Sequence, residues 1–96
     1  MKKIVVSTLL ASLAFLSASA IAAEWPKEKA VQVIVPFPPG GSTDTIGRIV
    51  AEQLQKRLDQ NFVVSNKPGA AGTIGAAQVA RAEPDGYTLM MSSLGT

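Results

Sequence analysis

The chain has 96 residues, with nine basic and seven acidic side chains, a formal net charge of +2, no cysteine and no histidine. That length holds one small domain at most. The composition excludes disulfide staples, His-based catalytic triads, Cys-His dyads and nearly all zinc sites.

The first element in chain order is a targeting segment. Lys2 and Lys3 form a positive start, and Ile4 to Leu16 is an apolar run broken by Ser7, Thr8 and Ser12. Small residues follow from Ser17 to Ala23, with A-x-A patterns at Ala18/Ala20 and Ala20/Ala22. The pattern predicts a secretory signal over residues 1–22, cleaved after Ala22. The run is too short for a membrane anchor, which needs about 20 apolar helical residues. Lys2 and Lys3 carry all of the excess charge, so residues 23–96 are neutral. They offer nucleic acid or anionic lipid no basic footprint, and no nucleic-acid partner is expected. Without a cysteine there is no lipid anchor. The mature protein is expected in the periplasm, soluble and held by its core alone, which is marginal at this size.

Glu24 to Ala30 is a polar entry segment. Val31 to Pro36 is β-branched and almost continuously apolar, as in a strand covered on both faces. Phe37-Pro38-Pro39-Gly40-Gly41-Ser42 is a loop, because its prolines and glycines forbid helix. Ser42 or Thr43 then caps a helix, with Asp44 as a capping aid in the first turn. Ile46, Ile49, Val50, Leu54 and Leu58 form its expected apolar stripe, opposite Arg48, Glu52, Gln55 and Lys56 on the solvated face. Asp59-Gln60-Asn61 ends it.

Phe62 to Ser65 reads as a second strand and Asn66 to Gly72 as a second glycine-rich loop. Thr73 to Ala82 is an Ala-rich helix. Glu83-Pro84-Asp85-Gly86 is a tight turn, to which Asp85 belongs. Tyr87 to Ser92 reads as a third strand. The expected fold class is α/β, a three-stranded parallel β-α-β-α-β unit with right-handed crossovers. Strand one carries apolar residues at both parities, which favours it as the central strand in the order 2-1-3. In such a sheet a ligand binds where the order reverses, here between the loops starting at Pro36 and Ser92.

The first two of these loops each open a helix. Helix N-termini present unpaired N–H groups and partial positive charge, so the chemistry expected is anion recognition by main-chain donors. The lysine of a P-loop is missing, and Gly69, Gly72 and Gly75 do not match the dinucleotide fingerprint. No carboxylate pair has the spacing of a glycosidase or a metal site, and Ser42 and Thr43 lack a base. No catalytic residue, metal or cofactor is expected, and the chain reads as a binding protein rather than an enzyme. Two alternatives stand beside this: a periplasmic hydrolase or transferase using the same loops, and a truncated, non-functional remnant.

Ile34-Val35-Pro36-Phe37-Pro38-Pro39-Gly40-Gly41-Ser42-Thr43-Asp44 closely resembles the opening motif of the Bug/TctC family, the extracytoplasmic solute receptors of tripartite tricarboxylate transporters. The resemblance continues through Asn66-Lys67-Pro68-Gly69-Ala70-Ala71-Gly72-Thr73-Ile74-Gly75, Pro84 to Leu89 and Gly95-Thr96. It implies a type II periplasmic-binding-protein fold of two α/β lobes, of which residues 23–96 are the N-terminal portion of the first, with the second lobe absent. It implies capture of a small organic acid (a di- or tricarboxylate, an aromatic carboxylate or an amino acid) and delivery to membrane permease subunits. The ligand-binding residues it implies here are Phe37, Gly40, Gly41, Ser42, Thr43, Asp44, Ala70, Ala71, Gly72 and Thr96. One departure is local: family members often carry Gly-Gln where this chain has Asp59-Gln60, so a left-handed cap at Asp59 is expected to be strained.

Overall fold

Val31, Val33 and Val35 point to one side of an extended chain and Ile34 to the other, and all four are buried. Burying each such side chain is worth about 1.5–3 kcal/mol. In the computed structural model, which describes residues 24–94, they form strand β1 (Val31–Val35) at the centre of a parallel sheet. Strand β2 (Phe62–Asn66) lies on one side of it and β3 (Thr88–Met90) on the other, in the order β2-β1-β3. Val31 stands opposite Phe62, and Val33 opposite both Val64 and Leu89. The predicted signal segment and Thr96 lie outside the described residues.

Two helices connect the strands. Helix α1 (Ser42–Leu58) packs on β1 and β2, and α2 (Thr73–Arg81) packs on β1 and β3. The main core lies under α1, where Val31, Val33, Phe62 and Tyr87 meet Ala51, with Leu54, Leu58, Val64, Leu89 and Met91 at its margin. A cavity of about 430 Å³ is lined by Gln32 and Thr88 of the sheet and by Ile74, Gln78, Arg81 and Ala82 of α2 and its end. Parallel pairing and the central place of β1 agree with the sequence reading.

The apolar stripe of α1 agrees only at Leu54 and Leu58. Ile46 and Ile49 are 55% and 56% exposed, and Val50 is exposed as well. The buried residues are Asp44, Gly47 and Ala51, continued by half-buried Leu54 and Leu58. These also follow helical spacing, three and four residues apart. Small residues win the inner face because the helix sits close to the sheet: a Cβ at Gly47 would lie 3.3 Å from Cγ2 of Val35. Hydrophobicity counts alone favour the larger residues on the wrong side.

The helix ends also carry information. The N-cap of α1 is Gly41, which makes no side-chain cap hydrogen bond, rather than Ser42 or Thr43. Its C-cap, Asp59, takes the left-handed conformation at φ 49°, ψ 48°, as the missing glycine implied. β3 is shorter than expected, yet its pairing extends past both ends: the Gln32 amide donates to the Tyr87 carbonyl and the Met91 amide to that of Ile34. β2 runs one residue further than expected, to Asn66. The entry segment is tied down from three sides. Trp25 meets Phe62 edge-on at 6.4 Å, its indole N–H donates to the Gly86 carbonyl at 2.7 Å, and Gln60 donates to the Pro26 carbonyl at 2.8 Å.

Candidate functional site

The chain leaves β1 through buried Pro36 and enters the first glycine-rich loop. It leaves β3 through Met91 toward Ser93. The chain passes from central β1 to β2 at one edge and from β2 back past β1 to β3 at the other, so the loops after β1 and β3 are neighbours at the carboxyl end of the sheet. A cavity of about 340 Å³ lies there, lined by Phe37, Pro38, Pro39, Gly41, Ser42, Thr43 and Ser93. No lining residue carries a charge.

The local backbone favours an anion at this wall. Gly41 is extended at φ −76°, ψ 175°, and the chain turns directly into α1. The first main-chain bond of the helix runs from the Thr45 amide to the Gly41 carbonyl at 2.9 Å, and the Thr45 hydroxyl donates to the same oxygen. The amides of Ser42, Thr43 and Asp44 stand ahead of that first bond, at the positive end of the helix dipole. Main-chain donors, hydroxyls and an apolar ring around one cavity suit a carboxylate head on a small organic body.

Asp44 is part of the support behind this wall. It is 4% exposed, and its carboxylate accepts the Gly40 amide at 2.9 Å, the Asn66 amide Nδ2 at 2.9 Å and Arg48 Nε at 3.1 Å. Chiefly the Gly40 N–H, then Asn66 and Arg48, lower its pKa from the ordinary 3.8 to about 2. Its charge is therefore spent inside the protein. The role differs from that of a plain capping aid: the carboxylate closes back on the loop residue Gly40. Arg48 also leaves its expected solvated-face role. It is half exposed, but it pairs with Asp44 and donates through Nη2 to Asn66 Oδ1 at 3.0 Å.

The second loop is built differently. Ala70–Gly72 forms a short 3₁₀ turn before α2, with Ala70 and Ala71 at φ 49° and 55°. Left-handed backbone at a residue with a Cβ costs roughly 1–2 kcal/mol, so this loop holds real strain. Of the residues implied by resemblance, Phe37, Gly41, Ser42 and Thr43 line the cavity. Gly40 and Asp44 are paired behind it. Ala70, Ala71 and Gly72 lie outside its lining, and Thr96 is outside the described residues. The sequence places Asn66 at the start of a loop, whereas it is the last residue of β2. The i,i+4 spacing of Asp44 and Arg48 was legible; the closure of both onto Asn66 depends on β2 lying beside β1.

Residues 46–96 match the family model described as "Tripartite tricarboxylate transporter family receptor". The chain belongs to the TctC family. Among TctC relatives it is 47% identical over 76 residues to Protein BugT of Bordetella pertussis, covering 79% of this chain and 23% of that protein. Among solved structures it superposes on a periplasmic transporter with TM-score 0.67 at 58% identity, covering 70% of this chain and 22% of that one. It superposes on MatC from Rhodopseudomonas palustris, solved with bound malate, with TM-score 0.64 at 44% identity over 67% of this chain and 22% of that one. A second R. palustris protein, solved with adipate, gives TM-score 0.67 at 40% identity over 70% of this chain and 22% of that one. The chain thus spans about a quarter of the length of the curated relatives it matches. The solved structures it matches include one described as a periplasmic binding protein, BugD, and one described as a TctC solute binding protein, besides the two that hold a dicarboxylate.

Proposed function

We propose that this chain takes part in periplasmic capture of a small organic carboxylate for a tripartite tricarboxylate-type importer. The anion is held by backbone amides and hydroxyls rather than by an ion pair. The observation that carries this is the charge-free cavity of about 340 Å³ at the start of α1, with Ser42, Thr43 and Ser93 in its wall. Hydrogen bonds to a charged partner are worth about 1.5–3 kcal/mol each, so two or three such donors hold a carboxylate without a lysine or arginine. The likeness to relatives solved with malate and adipate supports the ligand class. Membrane permease subunits are the expected partners, and the signal pattern at residues 1–22 supports delivery to the periplasm. No helix among the described residues is long and apolar enough to cross a membrane.

Isothermal calorimetry of the secreted full chain with malate, adipate and an uncharged diol control tests the reading. Saturable binding of a dicarboxylate, with the diol silent, is expected. Equal heats from the diol and the acids would overturn it.

A further inference from the structure

The side chain of Asn66 makes three hydrogen bonds from one amide group. Nδ2 donates to the Phe37 carbonyl at 3.1 Å and to Asp44 Oδ1 at 2.9 Å, and Oδ1 accepts from Arg48 Nη2 at 3.0 Å. Phe37 lies at one end of the Pro38-Pro39 segment of the cavity wall. At the other end stands Gly40, whose amide is held by Asp44 at 2.9 Å. The two anchor points of the wall therefore both trace to Asn66, one directly and one through Asp44. The main chain of Asn66 is the last residue of β2, paired with Val35, and it continues into the second glycine-rich loop.

We propose that Asn66 is a positioning residue that brackets the first loop from both ends and sets it against the start of the second. The inference rests on the carboxylate-capture reading given above. The residue type follows from the chemistry. The position needs two donors and one acceptor on a short planar group. Aspartate has the shape but no donors, and it would set a second carboxylate against Asp44. Leucine fills space with neither. Arg48 supplies the remaining donor and offsets the Asp44 charge, so the bracket is electrically quiet beside the cavity.

Asn66→Ala and Asn66→Asp in the secreted full chain test this by two readouts. The first is amide hydrogen exchange of the ligand-free protein. Gly40 is expected to exchange about tenfold faster in both variants, while Val33 and Ile34 of β1 keep their wild-type rates. The second is affinity for malate and adipate, expected to fall about fivefold or more in both variants. Because exchange is read without ligand, a wild type that binds neither acid counts against the capture reading alone. A wild-type Gly40 rate and affinity in Asn66→Asp overturn the proposal, since shape would then suffice. Equal acceleration of Gly40 and the β1 amides also overturns it, since the residue would then only stabilise the fold.

Discussion

Gly75 stands against Pro36 so closely that no side chain fits between them. A Cβ at position 75 would lie 2.7 Å from the proline Cβ and 3.0 Å from the Lys67 carbonyl oxygen. The first turn of α2 is thereby docked on the exit of β1 and on the second loop at once. A methyl group there has to move backbone, and overpacking of this kind costs about 1–3 kcal/mol. Gly75→Ala is expected to lower the unfolding free energy by that amount, measured by urea denaturation. Gly41→Ala, whose Cβ would meet nothing nearer than the Pro38 carbonyl at 3.9 Å, is expected to leave it within about 0.5 kcal/mol.

The second prediction concerns acid. Asp44 has a folded-state pKa of about 2 against an ordinary 3.8, held down first by the Gly40 amide. A depressed carboxylate stabilises the fold fully above its unfolded pKa, and that share is lost as pH falls through the folded value. Asp85 is lowered in the same direction, chiefly by the Tyr87 amide and then by Lys29. Asp44→Asn should therefore be less stable than wild type at neutral pH, and the difference should shrink as pH falls from about 4 to about 2. Urea midpoints of both proteins across that range check it. A gap that stays constant would remove the Asp44 charge from the account.

At the far end of α1 the left-handed Asp59 offers a gain. Its φ of 49° suits glycine, and roughly 1 kcal/mol of strain should be relieved by the exchange. Asp59→Gly is expected to raise the thermal midpoint without changing ligand affinity, because the residue lies at the other end of α1 from the cavity. A lowered midpoint would show that the aspartate side chain contributes more than its backbone loses.

These residues show where the sequence was a sufficient guide. The central place of β1 was legible because Val31, Val33, Val35 and Ile34 are apolar at both parities, and only a strand covered on both faces rewards that pattern. The crevice followed from the strand order. The first half of the inner face of α1 is not legible, because Ile46, Ile49 and Val50 outweigh Gly47 and Ala51 in hydropathy while the close approach of Gly47 to Val35 admits only a small residue. The Asp44–Asn66–Arg48 cluster spans 22 residues of sequence between Asp44 and Asn66. No local pattern encodes such a contact. It exists only once β2 lies beside β1.

Export gives a fourth prediction. The A-x-A patterns at Ala18/Ala20 and Ala20/Ala22 place cleavage after Ala22. Intact mass of the periplasmic product should correspond to a chain beginning at Ala23. A soluble periplasmic species that retains Met1 would contradict it.

The central claim is that the first loop holds an anion by its backbone. Gly72→Val is a poor probe of it, since Gly72 sits at φ 90° and a β-branched residue there strains the fold whatever binds. Gly41→Val is the cleaner variant: its backbone is extended at φ −76°, and a Cβ there meets nothing nearer than the Pro38 carbonyl oxygen at 3.9 Å. Lys67 lies outside the cavity lining, and its backbone amide donates to the Val35 carbonyl. Calorimetry with the acid that the wild type binds, at low and high salt, is the most direct measurement. The account predicts that Gly41→Val loses about tenfold or more in affinity. It predicts that Lys67→Ala loses about threefold at most, at either salt concentration. Loss of binding in Lys67→Ala with wild-type affinity in Gly41→Val would contradict it, and would replace the backbone cradle with a charge clamp.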